Sequence, residues 1–421
     1  MKYHKKVLKN GLRLITVPMK DSQSAIAMVL VEAGSDYESK EINGLSHFLE
    51  HMCFKGTTNR TGEEINYNLD SLGAESNAFT SDEVTGYYAK SHSKKVRKIL
   101  DIVSDIYLNP TFPEHDIEIE KGVIIEEINM YQDMPDRVAW YVWEELLYGD
   151  QPAGRTILGS KENIKKFTRD DFVKYYDTHY VPEKTTVVVA GDIDNKAILK
   201  QVEEKFGSAE NNKISKKPKV KISQKSPALK IQNRKTDQSH IRIGFHSFKM
   251  GDKRNIPLGV AKSILGSGMS SRLFKKMREE LGMCYYTRAA VNTGADSGNF
   301  VVFAGVGPSR AKEAVSVIID EFKKMRDDEI SEKELKKAKE YIMGNMATSH
   351  ETSESWADFF GFQEIMNQDI KDLKQLEKEI RAVTVKDIKK VLKQVIKKES
   401  LNLAIVGPHK DTTNFKKLLK I

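Results

Sequence analysis

His47, Glu50 and His51 form the string His-Phe-Leu-Glu-His within the segment N-G-L-S-H-F-L-E-H-M-C-F-K-G-T. On a helix, residues four apart share a face, so both imidazoles can converge on one cation. Glu50, three after His47, lies on the same side. Two imidazoles and an adjacent carboxylate are what hydrolytic zinc chemistry requires: two ligands of an open site, and a base for water. With 10 His and 60 acidic residues among 421, random placement yields roughly 0.03 such strings. Two incidental surface histidines are therefore the weaker reading.

A catalytic zinc takes three protein ligands and keeps a fourth position open. The stretch E-I-E-K-G-V-I-I-E-E-I-N, residues 118 to 129, offers the third. Glu120 and Glu127 are two helical turns apart and fall on one face with Val123 or Ile124. Carboxylates on the apolar side of a helix need partners, because an unpaired buried charge is costly. A metal, and a ligating histidine in want of an acceptor, supply them. By spacing alone, Glu126 and Glu127 are both candidates.

These segments, with G-A-E-S-N-A-F-T-S-D-E-V-T-G-Y-Y (73 to 88) between them, resemble the insulinase/pitrilysin metallopeptidases, the inverzincins. The similarity runs from K-N-G-L-R at Lys9 to A-I-V-G-P at Ala404. Within the family it points to the branch of mitochondrial processing peptidase β-subunits and their bacterial counterparts. The resemblance implies one zinc per chain, held by His47, His51 and Glu127, with Glu50 as base and Glu120 orienting a ligand. It also makes Asn77, Ala78, Phe79 and Thr80 an edge strand that pairs with substrate backbone. In the segment L-G-S-G-M-S-S-R-L-F-K-K-M-R-E-E-L-G-M-C-Y-Y (265 to 286), Arg278 and Tyr285 match the family's substrate-binding Arg and Tyr. Tyr286 competes with Tyr285, and Arg272 reads as a surface or packing residue. The Gly-rich start of this segment follows a helix and lacks a Gly-Lys-Ser/Thr ending, which excludes a phosphate loop.

The elements that must position these residues fall into two halves. The strand-to-glycine pattern of V-P-E-K-T-T-V-V-V-A-G-D-I (181 to 193) returns in K-K-E-S-L-N-L-A-I-V-G-P (397 to 408). Helices led by F-T-R-D-D-F and V-T-V-K-D-I precede them, and strand-then-helix segments open both halves at 24 to 52 and 238 to 266. This is a repeat of about 210 residues. The expected division is 1–212, carrying the metal chemistry; a Lys/Pro/Ser-rich linker, 213–230; and 231–421. Irregular alternation of strands and helices predicts an α+β class. The resemblance implies two homologous halves, each a mainly antiparallel sheet covered by helices on one face, closing as a clamshell over a chamber. Thr61 and Glu64 predict a capping box for a helix that stops at Gly73.

Composition sets bounds. No apolar run approaches ~18 residues, so a membrane span is not expected. The N-terminus has neither a signal-peptide core nor a transit-peptide composition, which predicts a cytoplasmic protein. The net charge of +8 is spread over helices that alternate Lys with Glu and Asp, the pattern of solvated faces rather than a nucleic-acid surface. Cys53 and Cys284 are far apart and predict no disulfide; Cys53 reads as core packing. His92, His115, His179 and His246 lack ligand-spaced partners. The expected activity is zinc-dependent endopeptidase action on peptides or unfolded segments, by a homodimer as the resemblance implies. The alternative is a non-catalytic scaffold or partner subunit; such chains lose motif residues, and this one keeps them.

Overall fold

The computed structural model describes residues 1–212 and 214–421; Lys213, the first residue of the expected linker, lies outside them. β1 (His4–Val7), β2 (Arg13–Pro18), β3 (Ser24–Val31), β4 (Glu75–Thr80), β5 (Thr85–His92) and β6 (Thr185–Gly191) form one sheet, in the order β1-β2-β6-β3-β5-β4. β7 (Ala228–Asn233), β8 (Ser239–His246), β9 (Cys284–Thr293), β10 (Gly298–Val306) and β11 (Leu401–Gly407) form the other, in the order β7-β11-β8-β10-β9. Pairing is antiparallel except for β2–β6 and β7–β11. Set β1 aside and the two orders coincide strand for strand. The repeat read from sequence is thus a repeat of topology, and the mainly antiparallel α+β class holds. The matched helices Arg169–His179 and Val385–Val395 both open on capping boxes, at Thr168/Asp171 and Thr384/Asp387.

α1 (Leu45–Met52), α2 (Gly62–Ser71), α3 (Val96–Leu108), α4 (Glu114–Gln132) and α5 (Pro135–Tyr148) belong to the first half of the chain. α2 carries the expected Thr61/Glu64 capping box, and Gly73, at φ 57°, ends it. No helix among the described residues is long and apolar enough to cross a membrane.

The compact units do not follow a single cut at the linker. One comprises Met1–Asn129, Thr156–Pro218 and Thr348–Asp372; the other comprises Met130–Arg155, Lys219–Ala347 and Leu373–Ile421. Each half of the chain therefore lends the other a helix. The helix Ser353–Ile365 packs on β6, β3 and β2, and α5 packs on β11, β8 and β7. β7 also begins at Ala228, inside the span expected to be linker.

The loaned helices correct the expectation of sheets covered on one face. β3 and β6 are buried along nearly their whole length, without alternation. Tyr87, on the face of β5 that carries Thr85 and Ala89, meets Cys53 and the α3 residue Tyr107. The opposite face receives Ser353–Ile365. There, a Cβ on Gly361 would lie 2.9 Å from Val188 Cγ2 and 3.1 Å from Leu30 Cδ1, so a larger residue would force these side chains to shift. In the second unit, Val138, Ala139, Val142 and Trp143 of α5 pack with Val301, Ala404 and Val406. Ile241, Ile243, Phe245, Val302, Leu403 and Ile405 belong to a separate, larger core. Burying both faces of a sheet removes far more apolar surface from water than covering one.

Each loaned helix is also pinned by a buried arginine. Arg242, fully buried, places Nη2 2.5 Å from Asp136 Oδ1 of α5, with Trp140 and Phe303 beside its guanidinium. Arg13 donates to Asn367 Oδ1 at 2.9 Å and pairs with Glu32 at 3.1 Å, while Lys5 holds Glu364 at 2.7 Å.

Candidate metal centre

α1 sorts its side chains by period. Phe48, Leu49 and Met52 are fully buried, and Phe48 packs edge-on against Phe172, 4.8 Å between ring centroids. His47, Glu50 and His51 occupy the other side. Gly44, at φ 102°, precedes the helix and offers no side-chain cap. Glu38 replaces one. Its fully buried carboxylate accepts from the N–H of Gly44 at 2.8 Å, the N–H of Ser46 at 2.6 Å and Asn43 Nδ2 at 3.0 Å. A carboxylate there satisfies orphan helix donors and suits the positive end of the dipole. Nothing in the sequence reading singled out Glu38, because the residue is not itself in the helix it caps.

α4 brings the third group. Ile117, Ile124 and Ile128 are buried, and Ile119 and Val123 are exposed. At 100° per residue, Glu120 and Glu127 fall between these two stripes, on the flank turned to α1. Glu127 Oε2 is 3.5 Å from His47 Nε2 and 3.8 Å from His51 Nε2. Among the described residues these three are the only His, Cys, Asp and Glu groups whose donor atoms cluster closely enough to hold an ion, all within 4.8 Å. Glu126 is exposed and outside the cluster.

Gaps of 3.5 and 3.8 Å are too long for good hydrogen bonds. The first lies within, and the second slightly beyond, the edge of a tetrahedron built on metal–donor bonds of roughly 2.0–2.2 Å, which is roughly 3.3–3.6 Å. Two imidazole nitrogens and one carboxylate oxygen are also a donor set suited to zinc. The residues present fit the ion.

The surroundings set each group's charge. His51 Nδ1 lies 2.9 Å from Glu120 Oε1, and Lys55 Nζ lies 2.6 Å from Glu120 Oε2. The bond to His51 holds the Glu120 carboxyl below its usual range against partial burial, with Lys55 assisting. A carboxylate on Nδ1 leaves Nε2 as the ligating atom. Burial, and then the nearby His51, push His47 down to about 3, so it stays neutral and able to ligate. Its Nδ1 is buried with no hydrogen-bond partner among the described residues. Burial would lower His51, but Glu120, Glu50 and Glu127 together raise it. Burial pushes both Glu127 and Glu50 up. Among the described residues Glu50 makes one side-chain hydrogen bond, from Thr80 Oγ1 to its Oε2 at 2.6 Å.

β4, which holds Asn77, Ala78, Phe79 and Thr80, is the outer strand of its sheet and, among the described residues, pairs only with β5. Phe79 stacks on Phe362, 5.7 Å between centroids, on the face opposite Thr80. In the second unit, Arg278 donates to the Tyr285 carbonyl and lies over its ring at 5.0 Å, while the Tyr285 side chain is 76% exposed. Tyr286 is engaged instead, 2.7 Å from Asp136 Oδ1 and 2.9 Å from His240 Nδ1. Arg272 is bound by Glu334 at 2.7 and 3.0 Å. The second repeat's counterpart of α1, the helix Asn255–Gly266, carries no His, Asp or Glu.

Comparison with known proteins agrees with this asymmetry. Residues 14–161 match the profile of the insulinase family, peptidase family M16, and residues 166–342 match that of the peptidase M16 inactive domain. An uncharacterized zinc protease of Bacillus subtilis, YmxG, is 33% identical over 95% of this chain and 97% of its own length. One from Mycobacterium leprae is 32% identical over 98% of this chain and 94% of its own. Among solved structures, a Helicobacter pylori protease superposes with a TM-score of 0.90 at 23% identity, covering 97% of this chain and 99% of that one.

Proposed function

The chain belongs to the insulinase family, peptidase family M16, and from that premise we propose that it is a zinc-dependent endopeptidase acting on peptides or unfolded segments. The observation that carries this reading is the gap between His47 Nε2, His51 Nε2 and Glu127 Oε2, of a size to hold one ion, with Glu50 one residue from His51 on the same face. Bound there, zinc would supply Lewis acidity toward the scissile carbonyl and lower the pKa of a water to ~7.

The chain's own residues do the rest. Glu50, a carboxylate raised by burial, takes the proton of the attacking water and later delivers it to the leaving amine. Glu120 holds the His51 ring by Nδ1, and that bond, with Lys55 assisting, keeps Glu120 ionised. The open edge of β4 receives substrate as an added strand, so backbone pairing through Asn77–Thr80 positions the scissile bond while tolerating varied side chains. Arg278 and exposed Tyr285 are the further substrate contacts of this reading, and a homodimer is its assembly.

Metal content and cleavage of a quenched-peptide library, measured on the same preparation, test the proposal. It expects about one zinc per chain, cleavage that stops on chelation, and recovery when zinc is restored. A metal-free chain, or cleavage indifferent to chelation, would overturn it. Light scattering tests the dimer.

A further inference from the structure

We infer that Thr80 is a positioning residue for Glu50: its hydroxyl fixes the base, tying the carboxylate to the strand that receives substrate. This rests on the reading of Glu50 as base. Strand alternation puts Ser76, Ala78 and Thr80 on the α1 side of β4, and Thr80 Oγ1 donates to Glu50 Oε2 at 2.6 Å. That bond is the one side-chain hydrogen bond Glu50 makes among the described residues.

The donor is held rigidly. Thr80 pairs with Thr85 in the last rung of β4–β5. Directly after it the chain turns through Ser81–Val84, closed by Ser81 N to Val84 O at 2.8 Å, Ser81 Oγ to Val84 O at 2.8 Å and Val84 N to Ser81 Oγ at 3.0 Å. Before it, the Phe79 ring lies against Gly86, so close that a Cβ there would meet Cζ at 2.4 Å, and it stacks on Phe362. A β-branched side chain on such a backbone has little χ1 freedom. With Oε2 already accepting this bond, Oε1 is the freer oxygen to accept a proton, at a position set by β4. A substrate strand pairing with Asn77–Phe79 is therefore registered against the base by the same few residues. Orientation of this kind is worth a large factor in rate, because small displacements of a reacting group are costly.

The test compares Thr80→Ser, Thr80→Ala and Thr80→Val in the full-length, zinc-loaded chain. Ser and Ala differ by one oxygen atom; Val keeps the shape and loses the hydroxyl. Expected are losses in kcat of roughly 10- to 100-fold for Ala and Val, KM within about twofold, unchanged zinc content, and recovery to within about threefold of wild type for Ser. In a Glu50→Gln background, Thr80→Ala should cause no further loss, since residues acting as a unit are not additive. Should Val fail to fold, the Ser–Ala pair still decides. Equal activities of Ser and Ala, or a rise in KM with kcat unchanged, would overturn the inference. If Thr80→Ala keeps its turnover while Glu50→Gln is inactive, Thr80 alone has been misread; an active Glu50→Gln refutes the base itself.

Discussion

Glu38 holds Ser46: the fully buried carboxylate accepts the Ser46 backbone N–H at 2.6 Å, one residue before His47. The first turn of the helix that carries His47 and His51 is therefore fastened by a side chain from outside that helix. Glu38→Ala should leave buried N–H groups without acceptors, costing about 1–3 kcal/mol, and loosen the His47–His51 pair. Thermal unfolding and competition with a chelator should both show it. A variant with wild-type melting and zinc retention would mean that Gly44 suffices to start α1.

Glu127→Gln should weaken zinc binding by about 10-fold or more, while Glu126→Gln should leave it near wild type. Only Glu127 stands within ion-binding distance of both histidines. Metal analysis after dialysis against a mild chelator separates the two. Equal losses, or a larger one at Glu126, would move the third ligand.

Asp36 gives stability a pH dependence. Burial raises its pKa to about 7, against the pull of Lys217 at 3.3 Å and with Asp82 and Glu83 pushing the same way as burial. An acid whose folded pKa exceeds its unfolded value binds more protons when folded. Its contribution is thus most favourable below about pH 4 and is lost as pH rises toward 7. Asp36→Asn should flatten that fall between about pH 4 and 7 in urea titrations. A variant whose midpoint falls as steeply as wild type would exclude Asp36 as the source.

The loaned helices change what a fragment can do. A cut at the linker suggests that residues 1–212 stand alone as a zinc-binding piece. That fragment lacks Ser353–Ile365, however, and would expose the face of β3 and β6 that carries Leu30 and Val188. Expressed by itself it should aggregate or bind hydrophobic dye. Co-expression with 213–421 should restore a folded, active complex. A soluble, cooperatively folding, active 1–212 would contradict the exchange.

How much of this the sequence carried depended on how local each signal is. α1 was legible because its candidate ligands and its core residues follow one period within eight residues. The repeat was legible because strand-to-glycine runs, and the helices led by F-T-R-D-D-F and V-T-V-K-D-I, recur at matching places. Glu127 against Glu126 was not settled by spacing, since a single residue's rotation decides; the burial of Ile117, Ile124 and Ile128 fixes that rotation in the fold. The second sheet face had a signal that went unused. A-I-A-M-V-L-V in β3 and V-V-V-A in β6 are continuous apolar runs, the mark of strands buried on both sides. Which helix does the burying was not legible, because an amphipathic pattern shows that a face is apolar and not which sheet it meets. Glu38 and Thr80 act across the fold on α1, and no local pattern announces them.

The central claim is that Glu50 moves the proton while His47, His51 and Glu127 hold the metal. Glu50→Gln separates these roles by one atom, with the shape of the side chain preserved. Zinc per chain and peptide hydrolysis should be measured on the same sample. The account predicts zinc content equal to wild type and hydrolysis reduced by about 10³-fold or more. Retention of most turnover would contradict it.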